Sequence, residues 1–177
     1  MSYNIINSHI IYKGLIFNLR QDEVLLPNGT TLPADIIDHR DSVTILPMDD
    51  RGNIWFIRQY RYPAKQELLE LPAGVMEPNE TPEASAQREI REEIGMRAGR
   101  LKKICEFFLA PGYSTEYMHL FLATDLIPDA LPQDANEFLR LEKIPHKKAF
   151  QMAQKGAFQD AKTLVALLIS TPDLLKA

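Results

Sequence analysis

The segment 74–96, GVMEPNETPEASAQREIREEIGM, constrains this chain more than any other, because it specifies a helix and also a chemistry for one face of it. Thr81 suits an N-cap, and Pro82 suits the first helical position, where proline's missing N–H is no loss. Glu83 places negative charge in the first turn, at the positive end of the dipole. Ala84, Ala86, Gln87, Arg88 and Glu89 are mostly good helix formers, and Gly95 can end the helix in a left-handed conformation. The spacing therefore predicts a helix from Pro82 that stops before Gly95. On it Glu89, Glu92 and Glu93 stand at i, i+3 and i+4, which puts three carboxylates on one face. Their repulsion, roughly a few tenths of a kcal/mol per like-charged pair, is relieved by a cation, and hard oxygen ligands suit Mg2+ or Mn2+. The plain alternative is a solvated acidic face with Arg88–Glu92 as an i,i+4 pair.

Gly74, Glu80, Arg88, Glu89, Ile90, Glu92, Glu93, Gly95 and Met96 fill every fixed slot of the pattern G-x5-E-x7-R-E-U-x-E-E-x-G-U, with U apolar. This resembles the Nudix box, the signature of metal-dependent hydrolases that cleave nucleoside diphosphates linked to another group. The resemblance implies Glu89 and Glu93 as first metal ligands, with Glu92 and the Ala73 carbonyl contributing. It implies that Arg88 orients the box carboxylates rather than reacting. The loop 75–80 differs mildly from a common family form with glycine before the glutamate. Asn79 stands there, and it also tolerates positive φ.

Length and composition fit that frame. A chain of 177 residues with 45% hydrophobic and 25% charged content is ordinary for one globular domain. A net charge of −4 gives no reason to expect nucleic-acid binding. The single cysteine, Cys105, lies in an apolar-rich run and reads as a buried thiol, consistent with a reducing cytoplasm. The start MSYNIINSHIIYKG lacks a signal-peptide pattern, and the apolar run 164–169 is too short to span a bilayer, so no membrane partner is expected.

Element reading gives a strand over 9–20, with Gly14 as a point of interruption, and a hairpin of 24–26 with 31–37 around Asn28-Gly29, residues that both accept positive φ. Residues 43–48 and 53–59 read as a second strand pair about the turn 49–52. Residues 101–109 and 117–124 read as two further strands, and 137–143 as a short last one. Helices are expected at 146–155, stopped by Gly156, and at 161–170, where Ala161, Leu164, Val165, Leu168 and Ile169 form an apolar stripe read as core packing. The order is an α+β pattern. It looks like the Nudix α/β/α sandwich with a mixed β-sheet and an N-terminal antiparallel β extension. The extension is placed at residues 1–41 and the catalytic domain at 42–177. In ADP-ribose-type members such an extension joins a homodimer, and a small β unit buries too little alone.

Outside the box, IRQYRYPAKQELLELPAG at 57–74 and Ala110-Pro111-Gly112-Tyr113-Ser114-Thr115-Glu116 resemble the ADP-ribose pyrophosphatase group and the related GDP-mannose hydrolases. The implied substrate is a nucleotide sugar, ADP-ribose first and GDP-mannose as the alternative. A sensor that binds without hydrolysis is weighed below both, because every box acid is present. The resemblance implies Arg61, His39, Gly112 and Glu116 as substrate-binding residues. A guanidinium can grip phosphate bidentately, which suits Arg61. Against this stand a strand-edge arginine and a hydrogen-bonded structural histidine. For the general base the family uses an acidic loop before the last strand. Here it reads Asp134-Ala135-Asn136-Glu137-Phe138, with Ala135 at an acidic position. Glu137 is the first candidate, Glu116 the second, and a box residue such as Glu92 the third.

Overall fold

The computed structural model describes residues 3–133 and 137–170, in two compact units. The first comprises Met1–Asp41 with Phe107–Met118, and the second Ser42–Glu106 with His119–Ala177.

The first unit is built on β1 (Asn4–Lys13), β2 (Phe17–Leu25) and β3 (Thr31–His39), an antiparallel sheet in the order β1-β2-β3. The stretch 9–20 is thus two strands, parted at Gly14, where an added Cβ would come within 2.5 Å of the Phe17 carbonyl oxygen. The β2–β3 hairpin forms as expected, but by a different turn. Only Gly29 takes positive φ, at 84°. Asn28 instead accepts from Thr30 N at 3.1 Å and Thr30 Oγ1 at 2.8 Å, a side-chain mimic of a turn. The 107–118 segment joins this unit through Ile37 N to Tyr113 O at 2.7 Å and Thr115 N to Ile37 O at 3.0 Å.

The second unit holds two sheets. One has the order β10-β5-β6, from β5 (Asn53–Arg61), β6 (Gln66–Glu70) and β10 (Arg140–Pro145). The other has the order β7-β4-β9-β8, from β4 (Ser42–Pro47), β7 (Ala73–Val75), β8 (Met96–Phe108) and β9 (Tyr117–Pro128). The expected pairing of 43–48 with 53–59 is therefore corrected. β4 and β5 share only the single bridge Met48–Ile54 and lie in different sheets. Every residue of β4 is buried, the mark of an interior strand with both faces covered. The turn between them is tied by Asp49, whose carboxylate accepts from Arg51 N, Asn53 N and Trp55 Nε1. The short strands β6 and β7 had no alternation long enough to betray them. The last strand is Arg140–Pro145 rather than 137–143, so Glu137 precedes it.

Helix α1 (Pro82–Glu93) packs on β4 and β7, and α2 (His146–Gln154) packs on β5, β10 and α3 (Ala161–Ile169). One core cluster joins Val43 and Ile45 of β4, Ile57 of β5, Ala86 and Ile90 of α1, and Phe121 and Ala123 of β9. This is the α+β sandwich expected. Helix α3 departs from its reading. Its buried face is Lys162, Thr163, Ala166 and Leu167, while Leu168 and Ile169 of the supposed core stripe are exposed. Cys105 is half-buried rather than buried, and partial burial raises its thiol pKa.

Candidate active site

Local chemistry sets the start of α1. Thr81 is extended, at φ −81° and ψ 154°, and its side chain accepts from Ala84 N at 3.2 Å. Pro82 follows at the first helical position, and Gly95, with φ 70°, ends the helix. Asn79 takes φ 66°, so the loop leading in uses the left-handed backbone that asparagine tolerates. The helix thereby presents Glu89, Glu92 and Glu93 toward β7, where Ala73 N donates to Glu93 Oε2 at 2.9 Å. A Cβ at Gly74 would overlap the Glu89 carboxylate, so a larger residue there must push that side chain aside.

Arg88 organises the acids from within the helix. Its Nε and Nη2 hold the Glu80 carboxylate at 3.0 Å each. Its Nη1 reaches Glu89 Oε1 at 2.6 Å and Glu92 Oε2 at 3.0 Å. Paired with this guanidinium, Glu80 is held below the usual carboxylate range despite some desolvation. Burial dominates at the other two acids. It pushes Glu89 up to about 7, against the pull of Arg88 and with help from the charges of Glu92 and Glu137. Glu93 is raised well above the ordinary range by burial first, then by the charges of Glu89 and Glu137. Two buried carboxylates that repel each other make a donor set whose cost a hard divalent cation relieves. The oxygens that could hold it are those of Glu89, Glu93, the half-buried Glu92 and the Ala73 carbonyl. Among the described residues no three acidic, histidine or cysteine side chains close into a ready-made cage.

Glu137 lies where its charge acts on both Glu89 and Glu93, so it belongs to this cluster electrostatically. Its neighbours Asp134, Ala135 and Asn136 lie outside the described residues. Arg61 ends β5 and forms a two-bond fork with Glu70, Nε to Oε1 and Nη2 to Oε2, both 2.8 Å. It also feels the charge of Glu93. Arg58 pairs instead with Glu142 at 2.6 Å. His39, Gly112 and Glu116 belong to the first unit. There the Thr115 hydroxyl accepts from His39 N at 2.8 Å, so the end of β3 and the proline loop are joined. Glu116 N donates to Ser114 Oγ at 3.2 Å. A Cβ on Gly112 would meet nothing within 4 Å, so sterics alone do not demand glycine there.

Sequence reasoning missed Glu70, Asp160 and Lys162. Lys162 Nζ bonds Glu70 Oε2 and, at 2.9 Å, Asp160 Oδ1. The one available signal was an acid in an apolar run, Leu68-Leu69-Glu70-Leu71, where a buried charge demands a partner.

The family model described as NUDIX domain matches residues 38–167. The chain belongs to the Nudix family. It is a Nudix hydrolase, and such enzymes generally require a divalent metal. It is 34% identical over 159 residues to "ADP-ribose pyrophosphatase" of Bacillus subtilis, covering 89% of this chain and 86% of that one. It is 31% identical over 164 residues to "Methanol dehydrogenase activator" of Bacillus methanolicus, covering 92% and 89%. It is 30% identical over 164 residues to "GDP-mannose pyrophosphatase" of Yersinia pestis, covering 85% and 79%. A solved structure described as "Crystal structure of ADP compounds hydrolase" superposes with a TM-score of 0.87 at 25% identity, covering 99% of this chain and 95% of that one.

Proposed function

We propose that this Nudix hydrolase cleaves the pyrophosphate of ADP-ribose, giving AMP and ribose 5-phosphate, with Mg2+ held by Glu89, Glu92, Glu93 and the Ala73 carbonyl. The observation that carries the reading is the buried Glu89–Glu93 pair, Glu89 held by Arg88 beside the Gly74 backbone and Glu93 by the Ala73 N–H. Likeness to an ADP-ribose pyrophosphatase over most of both chains supports the substrate.

Water adds to one phosphorus, the bridging P–O bond breaks, and each product leaves as a phosphate monoester. A divalent ion bound here supplies charge neutralisation of phosphoryl oxygens and a more acidic water. The remaining work falls to the chain. Arg61 offers a phosphate the guanidinium edge that Glu70 does not occupy. Glu137 takes the proton of the attacking water, since its charge already acts on both buried acids. Glu116 and Glu92 are the second and third candidates for that role. His39, Gly112 and Glu116 are assigned to substrate contact. Residues 1–41 form the dimerisation extension, and 42–177 form the catalytic domain. A cytoplasmic location belongs to the same reading and is checked by cell fractionation. Among the described residues no helix is long and apolar enough to cross a membrane.

The test is a panel of nucleoside diphosphate sugars with Mg2+, read as kcat/KM. ADP-ribose should lead. Likeness to a GDP-mannose pyrophosphatase makes that sugar the competing outcome, and a wide margin in its favour would displace the ADP-ribose assignment.

A further inference from the structure

Helix α3 begins with an arrangement that core packing does not explain. Lys162, in its first turn, is 8% exposed and Thr163 is fully buried. Asp160 caps the helix by accepting from Thr163 N at 3.0 Å and from the Thr163 hydroxyl at 2.6 Å. The same hydroxyl accepts from Leu71 N at 2.8 Å. Lys162 Nζ spans Asp160 and Glu70, and Glu70 is 1% exposed. A purely structural contact here would be served as well by an apolar side chain, because buried ion pairs rarely repay their desolvation.

The geometry points to another use. Glu70 spends Oε1 on Arg61 Nε and Oε2 on both Arg61 Nη2 and Lys162 Nζ. A two-bond fork alone lets the carboxylate and guanidinium swing together as one plane. The third bond, from a lysine itself anchored by Asp160, removes that freedom. Among the described residues Glu70 is Arg61's only hydrogen-bond acceptor. The guanidinium is 38% exposed, and its outer edge keeps donors for a bidentate phosphate contact. We propose that Lys162 is a positioning residue for substrate binding: through Glu70 it fixes the Arg61 guanidinium in the pose that receives the substrate's phosphates. The proposal rests on Arg61 being a phosphate contact.

The test uses the full chain, Mg2+ and the nucleoside diphosphate sugar that the panel turns over best. Lys162→Met should raise KM by about 10-fold, the weight of one loosened charge-assisted contact, with kcat changed much less. Lys162→Arg, which keeps the cation, should recover most of the loss. In an Arg61→Met background Lys162→Met should add nothing further to KM, because it acts through Arg61. Independently of turnover, the Arg61 Nε–H resonance, assigned with Arg61→Lys, should shift and broaden in Lys162→Met. If Lys162→Met does not fold, Lys162→Ala, which also removes the donor to Glu70, carries the same measurements. Unchanged KM and an unmoved Arg61 resonance in a folded variant would overturn the proposal while leaving the Arg61 reading intact. Unchanged KM in Arg61→Met would overturn both.

Discussion

At the residue scale, the site is a contest between burial and charge. Glu93 is 2% exposed and Glu89 7%, so each carries a desolvation cost that only a hydrogen bond or a cation can offset. Ala73 N provides one such bond to Glu93. If Glu93 holds the metal as proposed, replacing it by Gln removes the carboxylate charge that binds the cation and should lower kcat at least about 100-fold, without unfolding the chain. Unaltered turnover under saturating Mg2+ would defeat the metal assignment. Gly74→Ala tests the same geometry from the opposite wall. Its Cβ must displace the Glu89 carboxylate, so metal affinity should weaken by about 10–100-fold while circular dichroism stays native. A Mn2+ titration followed by EPR reads this directly.

At the element scale, what the sequence disclosed and what it hid separate by distance along the chain. Helix α1 was legible because its signals are local: Thr81, Pro82 and Gly95 each act within a turn. Its acidic face was legible because i, i+3 and i+4 need no partner to be read. The partners of β4 and β5 were hidden, because a tight turn between two apolar runs suggests a hairpin whichever sheets the strands join. Helix α3 was misread for a related reason. Lys162 looks like a solvent residue until Glu70, 92 residues away, is placed beside it. The acidic cluster was legible only in part, since the sequence nominates Glu137 but does not show that its charge acts on Glu89 and Glu93. The Glu70 network also carries a pH prediction. Burial alone would raise Glu70, but Arg61 and Lys162 outweigh it and hold its carboxyl below the usual range. A depressed folded pKa contributes stability that is complete above the unfolded value, about 4.3, and is lost as pH falls through the folded one. Urea midpoints should therefore drop as pH is lowered from about 5, and Glu70→Gln should flatten that part of the curve. The same variant should lose about 1–3 kcal/mol near neutrality, because Arg61 loses its charged acceptor while Lys162 keeps only Asp160. Parallel curves for the two proteins below pH 5 would remove Glu70 from the acid-sensitive set.

At the scale of the whole molecule, the three-stranded β1-β2-β3 sheet is the part that a single chain leaves unfinished. β1 is exposed along its full length, yet it carries Ile5, Ile6, Ile10, Ile11 and Tyr12, each at least 49% exposed. The pairing of β1 is irregular between Ile5 and Asn7 and between Ile10 and Tyr12, so Ile6 and Ile11 interrupt the strand's alternation and add to its exposed apolar surface. Contiguous apolar surface of that kind marks an interaction site. The expected partner is a second copy of this chain, whose equivalent strand carries the same surface and meets it isologously. Light scattering at micromolar concentration should therefore give twice the chain mass. Ile6→Lys with Ile11→Lys should shift the protein toward monomer and lower its melting temperature in a concentration-dependent way, since dimer stability depends on protomer concentration. A monomeric mass for the unaltered chain would mean that β1 carries its apolar surface for another reason and that the extension is not a dimerisation element.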